Sequence, residues 1–336
     1  KFMLKKYKLE TNNSERKIHD IFFISTFILL LLIGLIGPRF FKIDSPTFNF
    51  SLVNKNFGKA SIAVNKLEKF KTNKNYLSSD QINNKNIVLE WSKKTLYNVE
   101  NDLPIARMYF PHIPKNINEF QTQTKKNVFL SILLPIALRG NELVLEERNV
   151  MRAAFSSKNI YKIEYLAKKY KVKDFKNINF SNITMSNLSK INKELSIKIN
   201  KIPISLILAQ SIIESGWGSS RFAQEGNALF GEWTWKTNVG IKPKGNLDAN
   251  FAVKNFKNLL ESLNSYILNL NSHPAYSEMR KFRALKYKMG KKITGYETAN
   301  FLNKYAEIGF EYVIKIEDMI KSNRLYKFQK AKLEHL

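Results

Sequence analysis

The chain has 336 residues, of which 44% are hydrophobic, and it carries a formal net charge of +27. This composition provides for a packed core in one large or two modest domains, and it excludes a chain that is disordered throughout or fibrous. Cysteine is absent, which excludes a thiol nucleophile, a disulfide framework and thiolate zinc sites. Catalysis by this chain would rest on carboxylates, hydroxyls or imidazole.

The positive charge is spread along the whole chain, which indicates a compositional habit more than a dedicated basic stripe. Dispersed positive charge attracts anionic surfaces such as phosphate headgroups. The sequence contains no helix-turn-helix, finger or RNA-binding signature. We therefore expect no nucleic-acid partner.

The N-terminus predicts a membrane anchor. Residues 21–37 form an uncharged run rich in Leu, Ile and Phe, at the short limit for spanning a bilayer. Basic residues outweigh acidic ones before this run, which predicts that residues 1–20 remain cytoplasmic while the rest of the chain crosses. A cleaved signal peptide is the alternative, but Leu35-Ile-Gly-Pro38 is a poor cleavage site, so we favour an uncleaved anchor.

Residues 38–100 show no sustained hydrophobic period and are predicted to be a tether, with short helical or extended pieces such as 87–96. The main domain is expected over residues 101–330. Its first part contains three prolines between residues 102 and 114 and is predicted to be extended. A helix over 117–156 follows, in which Pro135 would start a new turn or kink.

The remainder of the domain is predicted to be mainly α-helical. Further helices are expected over residues 160–171, 186–199, 259–271, 298–306 and 312–324. Strands are expected only between residues 232 and 256, where glycine and proline punctuate the pattern. The predicted fold class is therefore mainly α with a small β-hairpin lobe.

One further helix places a carboxylate at the end of an apolar segment. Pro203 suits the first helical turn, and Gly216 and Gly218 suit a stop after about three turns. Gln210 and Glu214 are four residues apart and share a face with apolar side chains. Lost hydration and the negative end of the helix dipole both favour a protonated Glu214. Such a side chain can act as a general acid.

The residues around Glu214 have the composition of a sugar-binding site, because sugar rings bind on aromatic faces with amide and carboxylate partners. The candidates for binding a substrate are Trp217, Asn227, Phe230, Glu232 and Trp233. The alternative interpretation of Glu214 is a rim residue whose head group lies in water. On chemistry alone, the pattern favours a glycosidase.

Two aromatic residues and one histidine allow alternative interpretations. Trp233 and Trp235 alternate around Thr234 as on a strand, so that either could contact a cleft or pack in the core. His273 has no histidine neighbour at metal-ligand spacing and is expected to be a hydrogen-bonded structural residue. We expect no metal and no cofactor.

Several spaced motifs resemble a known family. Ala209-Gln-Ser-Ile-Ile-Glu-Ser-Gly-Trp-Gly218 and Gly226-Asn-Ala-Leu-Phe-Gly231 resemble the signature of the peptidoglycan glucosaminidase domain, glycoside hydrolase family 73, in its Bax-type branch. This branch is related to the flagellar muramidase-like glucosaminidases. The resemblance covers roughly residues 100 to 326 and includes 269–276, 305–307 and 311–313.

The resemblance implies a lysozyme-like catalytic domain in which Glu214 is the essential general acid and Tyr305 is the active-site tyrosine. The family's usual Tyr-Ala-Thr-Asp is here Tyr305-Ala-Glu-Ile308. The family often has a second acid in the β-hairpin lobe, where Glu232 and Asp248 are available. We favour Asp248, because Gly240 and Gly245 suggest a hairpin tip that would present it across the cleft.

The reaction route stays open at this point. Two acids about 6.5–9.5 Å apart would indicate an inverting route through water, and a closer pair would indicate a covalent intermediate. A third route needs one acid, since the acetamido oxygen of N-acetylglucosamine can attack the anomeric carbon itself. In that route Tyr305 would orient the acetamido group.

Together these patterns predict a cell-wall hydrolase anchored in the inner membrane, with its catalytic domain in the periplasm. It would bind peptidoglycan glycan strands and cleave the β-1,4 bond after N-acetylglucosamine. The alternatives are endo-β-N-acetylglucosaminidase action on glycoprotein glycans, amidase action, and a wall-binding scaffold without turnover.

Overall fold

The computed structural model describes residues 75–335 except 236–239 and 243–249. The predicted cytoplasmic segment (1–20), the predicted anchor (21–37), the first part of the tether (38–74) and Asp248 lie outside the described residues. The described residues fall within one compact unit.

The described part of the chain is mainly helical, as the sequence predicts. Its α-helices, numbered in chain order, are α1 (Ser79–Asn83), α2 (Lys85–Glu100), α3 (Thr122–Ser156), α4 (Ile160–Lys169), α5 (Met185–Lys198), α6 (Ile204–Ser215), α7 (Arg221–Gly226), α8 (Leu259–Ser272), α9 (Ser277–Lys288), α10 (Gly295–Ala299) and α11 (Phe310–Ser322). Short 3-10 helices lie at Ile117–Glu119, Phe175–Asn177, Pro274–Tyr276 and Leu325–Lys330.

The core is built around α3, which packs against α2, α4, α6 and α8. By length and composition alone α3 could cross a membrane, but 78% of its most apolar window is buried. The burial identifies α3 as a core helix. It runs through Pro135 as a single element, and Gly140 permits close contact with α8, because a Cβ there would lie 2.7 Å from Leu263 Cδ2.

Residues 75–100 differ from the predicted tether, because they pack on the domain. Val88 on α2 is fully buried, and Trp91 Nε1 donates a hydrogen bond of 3.1 Å to the Ser131 carbonyl oxygen. The Trp91 ring also lies 5.9 Å from that of Phe110. The apolar residues of α2 form a narrow stripe among Asn and Lys residues. The helical period of hydrophobic residues is therefore difficult to recognise in the sequence. The tether predicted over 38–100 therefore does not include 75–100.

The predicted strand region forms a three-stranded antiparallel sheet of β1 (Trp233–Thr234), β2 (Gly240–Ile241) and β3 (Ala252–Lys254). The strand order is β1-β3-β2, so the last strand lies between the first two. In the register, Val253 is opposite both Trp233 and Ile241. We call this sheet the β lobe.

Two helical predictions need correction. The helix expected over 298–306 is instead the short α10, which ends at Ala299, so that Tyr305 lies in a turn. The hydrophobic periodicity also did not predict α9, because this helix buries a charged residue at a position where an apolar residue is expected. Arg283 on α9 is 1% exposed, and it donates hydrogen bonds to carbonyl oxygens at the end of α5, including that of Ile197.

Candidate active site

Glu214 lies in the last turn of α6, a helix buried along most of its length. The predicted end is confirmed, since Gly216 ends the helix in the left-handed conformation (φ 58°), whereas Pro203 is the N-cap and lies one position before the first helical turn in which it was expected. Trp217 follows at φ 59°, a conformation that costs a residue other than glycine about 1–2 kcal/mol. This sharp exit ends the helix directly after Glu214, whose side chain is half-buried.

Both carboxylate oxygens of Glu214 have a close neighbour. Oε1 accepts a hydrogen bond of 2.6 Å from the Tyr312 hydroxyl. Oε2 lies beside Gly231, where an added Cβ would stand only 3.0 Å from it, and Gly231 itself has φ 61°. Glycine thus serves two purposes at this position, because it adopts the left-handed backbone and leaves space for the carboxylate.

The environment of Glu214 favours its protonated form. Burial raises the pKa of the Glu214 carboxyl above its ordinary value, and the hydrogen bond from Tyr312 opposes this in part by stabilising the ionised form. The direction is the one expected from the sequence, and the main cause is lost hydration. The side chain is therefore suited to hold and donate a proton.

A chain of hydrogen bonds through the core orients Glu214. The Tyr266 hydroxyl donates to Gln210 Oε1 over 2.6 Å, and Gln210 Nε2 donates to the Tyr312 hydroxyl over 3.0 Å. Tyr312 in turn donates to Glu214. Gln210 and Tyr266 are fully buried and Tyr312 is nearly so. A fully connected network of this kind fixes side-chain orientation; we call it the Tyr–Gln–Tyr chain.

The network was only partly visible in the sequence. Gln210 was placed on the face of Glu214 by its spacing of four residues. Tyr266 and Tyr312 were not predicted as site residues, because they lie 52 and 98 positions from Glu214 and no local period links them. Two signals were available: a tyrosine within each of two amphipathic helical patterns, and the matched motif at 311–313, which includes Tyr312.

Stacked aromatic rings surround the Tyr–Gln–Tyr chain. Tyr305 stacks on Tyr312 with ring centres 5.3 Å apart, and Phe230 stacks on Tyr266 at 4.0 Å. The Tyr305 hydroxyl donates a hydrogen bond of 3.0 Å to the Phe230 carbonyl oxygen. The structure thus brings Tyr305 to the site of Glu214. The Phe230 side chain is 2% exposed and serves the core rather than an open surface.

Two other predicted binding residues hold the backbone around the site. Asn227 is buried and left-handed (φ 53°), and its Nδ2 donates to the Phe256 carbonyl oxygen over 2.9 Å. Its Oδ1 lies 3.0 Å from His112 Nδ1. Trp217 is half-buried and packs edge-on against Phe129, with ring centres 6.0 Å apart.

The tryptophans of the β lobe are exposed. Trp233 is 58% exposed and Trp235 is 81% exposed, and both rings pack edge-on against Phe251. Neither tryptophan belongs to the core. Most of each ring is therefore open to solvent.

Glu232 follows Gly231 directly and is held by two partners. Its Oε2 accepts hydrogen bonds from Lys254 Nζ over 2.7 Å and from Ser265 Oγ over 2.8 Å. These contacts join the β lobe to α8. The side chain is only 9% exposed, and no described residue donates to Oε1. Glu232 is a fixed acceptor beside the turn that contacts Glu214.

The described residues contain no group of three or more His, Asp or Glu side chains placed to hold a metal ion. His273 caps the 3-10 helix Pro274–Tyr276, where its Nδ1 accepts a hydrogen bond of 3.2 Å from the Ala275 backbone. This is the structural role expected from the sequence.

A desolvated carboxyl group, stacked aromatic side chains and a small β lobe lie together in this part of the structure. Comparison with known proteins indicates the class of protein to which such a site belongs. Residues 190–325 match the Glucosaminidase family model, described as mannosyl-glycoprotein endo-beta-N-acetylglucosaminidase. This range includes Glu214, Tyr305 and Tyr312.

The chain is also similar to Protein bax of Escherichia coli (strain K12). The two are 28% identical over 208 residues, which cover 60% of this chain and 70% of that protein. No solved structure matches. The two matches support a glucosaminidase-domain protein and hence a glycoside hydrolase that acts on glucosamine-containing polymers.

The hydrogen bond from Tyr312 can be tested by the substitution Tyr312→Phe. Removing a donor to the ionised carboxylate should raise the pKa of Glu214 further. The measurement is a carbon-13 carboxyl titration of the full chain, with the Glu214 signal assigned by its absence in Glu214→Gln. Tyr305→Phe is the matched control, because that hydroxyl donates to Phe230. A Glu214 pKa that is unchanged or lower in Tyr312→Phe would contradict the assignment.

The raised pKa also predicts a pH-dependent stability. Because folded Glu214 keeps its proton at a pH where the unfolded chain loses it, Glu214 should lower the stability as pH rises above the ordinary value of 4.5. Glu214→Gln should therefore stabilise the protein at about pH 8 and have less effect at about pH 4. Chemical denaturation at both pH values measures this. The control is Glu307→Gln, which changes an exposed carboxylate. Equal effects of Glu214→Gln at both pH values would refute the prediction.

Proposed function

We propose that the protein is a Bax-type, glycoside hydrolase family 73 cell-wall hydrolase that cleaves the β-1,4 bond after N-acetylglucosamine in peptidoglycan. The observation that carries the proposal is the desolvated Glu214 carboxyl, held between Tyr312 and Gly231. Residues 21–37 would anchor the protein in the inner membrane and place a lysozyme-like catalytic domain in the periplasm.

The geometry of Glu214 suggests which oxygen carries the proton. Oε1 already accepts the hydrogen bond from the Tyr312 hydroxyl. The proton would therefore reside on Oε2, on the side where Gly231 carries no side chain. From there Glu214 would protonate the glycosidic oxygen as the leaving sugar departs.

The contacts of Glu232 and Tyr305 favour the route that needs one acid. Lys254 and Ser265 already bind one oxygen of Glu232. The Tyr305 hydroxyl donates a hydrogen bond to the Phe230 carbonyl oxygen, so its own oxygen keeps lone pairs that can accept from an approaching N–H group. It could orient the acetamido group of the substrate, whose oxygen would attack the anomeric carbon.

A second candidate is the hydrolysis of glycoprotein glycans. It is favoured by the description of the matching family model, which refers to mannosyl-glycoprotein substrates. Both candidates use the same acid on an N-acetylglucosamine linkage. They differ in the polymer that the tryptophans of the β lobe would contact.

Glu214→Gln tests the role of the acid. General acid catalysis typically contributes about 10²–10⁴-fold, so the variant should lose at least about 100-fold of its activity on purified peptidoglycan. The measurement is the release of new reducing N-acetylglucosamine ends. Glu225→Gln, which changes an exposed carboxylate on α7, should retain activity.

The products of the same digest separate the alternatives. Freed stem peptides would indicate an amidase, and cleavage of glycoprotein glycans with intact peptidoglycan would favour the second candidate. Wall binding without any products would indicate a scaffold. Full activity of Glu214→Gln would remove the proposed mechanism.

Two glycines provide a matched test of the space beside the carboxylate. Gly231 and Gly216 are both left-handed, but only a Cβ on Gly231 would crowd Glu214, while one on Gly216 would meet nothing within 4 Å. Both Ala variants should lose about 1–2 kcal/mol of stability through backbone strain. Only Gly231→Ala should also lower kcat on peptidoglycan, by about tenfold or more. Equal kcat values in two folded variants would contradict this role of Gly231.

A further inference from the structure

A concave site lies away from Glu214. It is an open pocket of about 370 Å³ formed by the C-terminal half of α3, the segment that follows α5, and α9. Its lining residues are Leu145, Arg148, Asn149, Arg152, Asn200, Lys201 and Tyr287. Arg148 is 19 residues along α3 from Phe129, which contacts Trp217 beside the acid. At 1.5 Å per residue this places the pocket roughly 28 Å along the helix.

The pocket carries three positive charges and is lined by no carboxylate. Arg148 is held by its Nη1, which donates to the carbonyl oxygens of Ser196 (2.7 Å) and Ile199 (2.6 Å). Neutral carbonyl groups orient this guanidinium but do not cancel its charge. Arg152 and Lys201 are exposed at the rim.

No carboxylate stands among the residues that line the pocket around Arg148. Burial lowers the pKa of Arg148, repulsion from Arg152 lowers it further, and the nearby Tyr287 opposes this in part. Since an arginine remains protonated in proteins, the two guanidinium groups repel each other. An anion placed between the two guanidinium groups would relieve this repulsion, and their planar donor pattern matches a carboxylate or a phosphate.

The uncharged lining distinguishes between these anions. Asn149 can supply amide donors and an acceptor, the complement of a peptide bond. Asn200 adds amide donors, while its Oδ1 already accepts a hydrogen bond of 2.9 Å from the Lys201 backbone. Leu145 and the ring of Tyr287 add apolar surface. A pocket for a simple phosphate ion would need neither feature.

We propose that this pocket binds a short peptide that carries free carboxylates. The identity of that peptide rests on the proposed function: in peptidoglycan the ligand is a stem peptide, bound at a distance from the cleaved glycosidic bond. The pocket would then make the enzyme prefer glycan strands that still carry their peptides.

Calorimetric titration of the full chain with the tripeptide Ala-γ-Glu-diaminopimelate tests the binding. The double variant Arg152→Gln and Lys201→Gln removes two positive charges from the pocket. It should weaken the affinity by about tenfold or more, and tenfold corresponds to about 1.4 kcal/mol of binding free energy. Lys190→Gln combined with Lys193→Gln is the matched control, because it removes the same charge from exposed positions on α5. Its affinity for the peptide should equal that of the wild type.

Two further ligands test the chemistry. The same tripeptide with its carboxylates amidated should not bind. Inorganic phosphate and vesicles that contain anionic lipid should not displace the tripeptide. Unchanged affinity in the pocket variant, binding of the amidated peptide, or displacement by phosphate or vesicles would each overturn the proposal.

Activity measurements connect the pocket to the proposed function. The pocket variant should show a higher KM on intact peptidoglycan and unchanged hydrolysis of glycan strands from which the peptides have been removed. An unchanged KM on intact peptidoglycan would count against a role in substrate choice. If the wild type binds the tripeptide but cleaves no wall, only the proposed function fails. If it cleaves the wall but does not bind the tripeptide, only the pocket proposal fails.

Discussion

The site depends on one carboxyl group that the fold keeps away from water. Glu214 can be held in this way because α6 is buried almost throughout and cannot rotate to release it. Gln210, one turn earlier, extends the constraint into the core through Tyr312 and Tyr266. The orientation of one acidic side chain thus depends on three helices, α6, α8 and α11. A change far from Glu214 in sequence can disturb it as much as a change beside it.

Local backbone strain accompanies the exit of the chain from the helix beside this group. Gly216 and Trp217 are both left-handed, and Gly231 is left-handed where the next turn meets the carboxylate. Strain of this kind persists only where surrounding packing imposes it. Here the packing is supplied by Phe129 against Trp217 and by the contacts of Glu232 with Lys254 and Ser265. The β lobe is therefore fastened to the helical core beside the acid.

An interaction could be predicted from the sequence when its partners are close together along the chain, and could not when they are far apart. The boundaries of α6 depend on neighbours within a few residues, so propensity predicted them. The apolar face that Glu214 shares predicted the direction of its pKa shift, although the burial that causes the shift comes from tertiary packing. Tyr312 reaches Glu214 across 98 positions, and no local rule predicts that contact. Composition indicated sugar binding by Asn227 and Phe230, but both side chains are buried in the structure, because a tight turn also needs anchors. The second acid stays a prediction, since Asp248 lies outside the described residues.

Some positively charged side chains are buried and cap helix ends, and others lie at a surface pocket. Composition alone cannot distinguish these two uses. Arg283, Arg280 and Lys198 are buried, and each donates to main-chain carbonyl oxygens where helices end. These cations are already committed to the fold and cannot bind a ligand without breaking it. Arg148 caps carbonyl oxygens in the same way but lies at the wall of a pocket whose rim carries two exposed cations. A cation that is fixed by such a cap and also lies near the surface can hold a ligand in a defined orientation, and its burial and hydrogen bonds, not the net charge of +27, identify it.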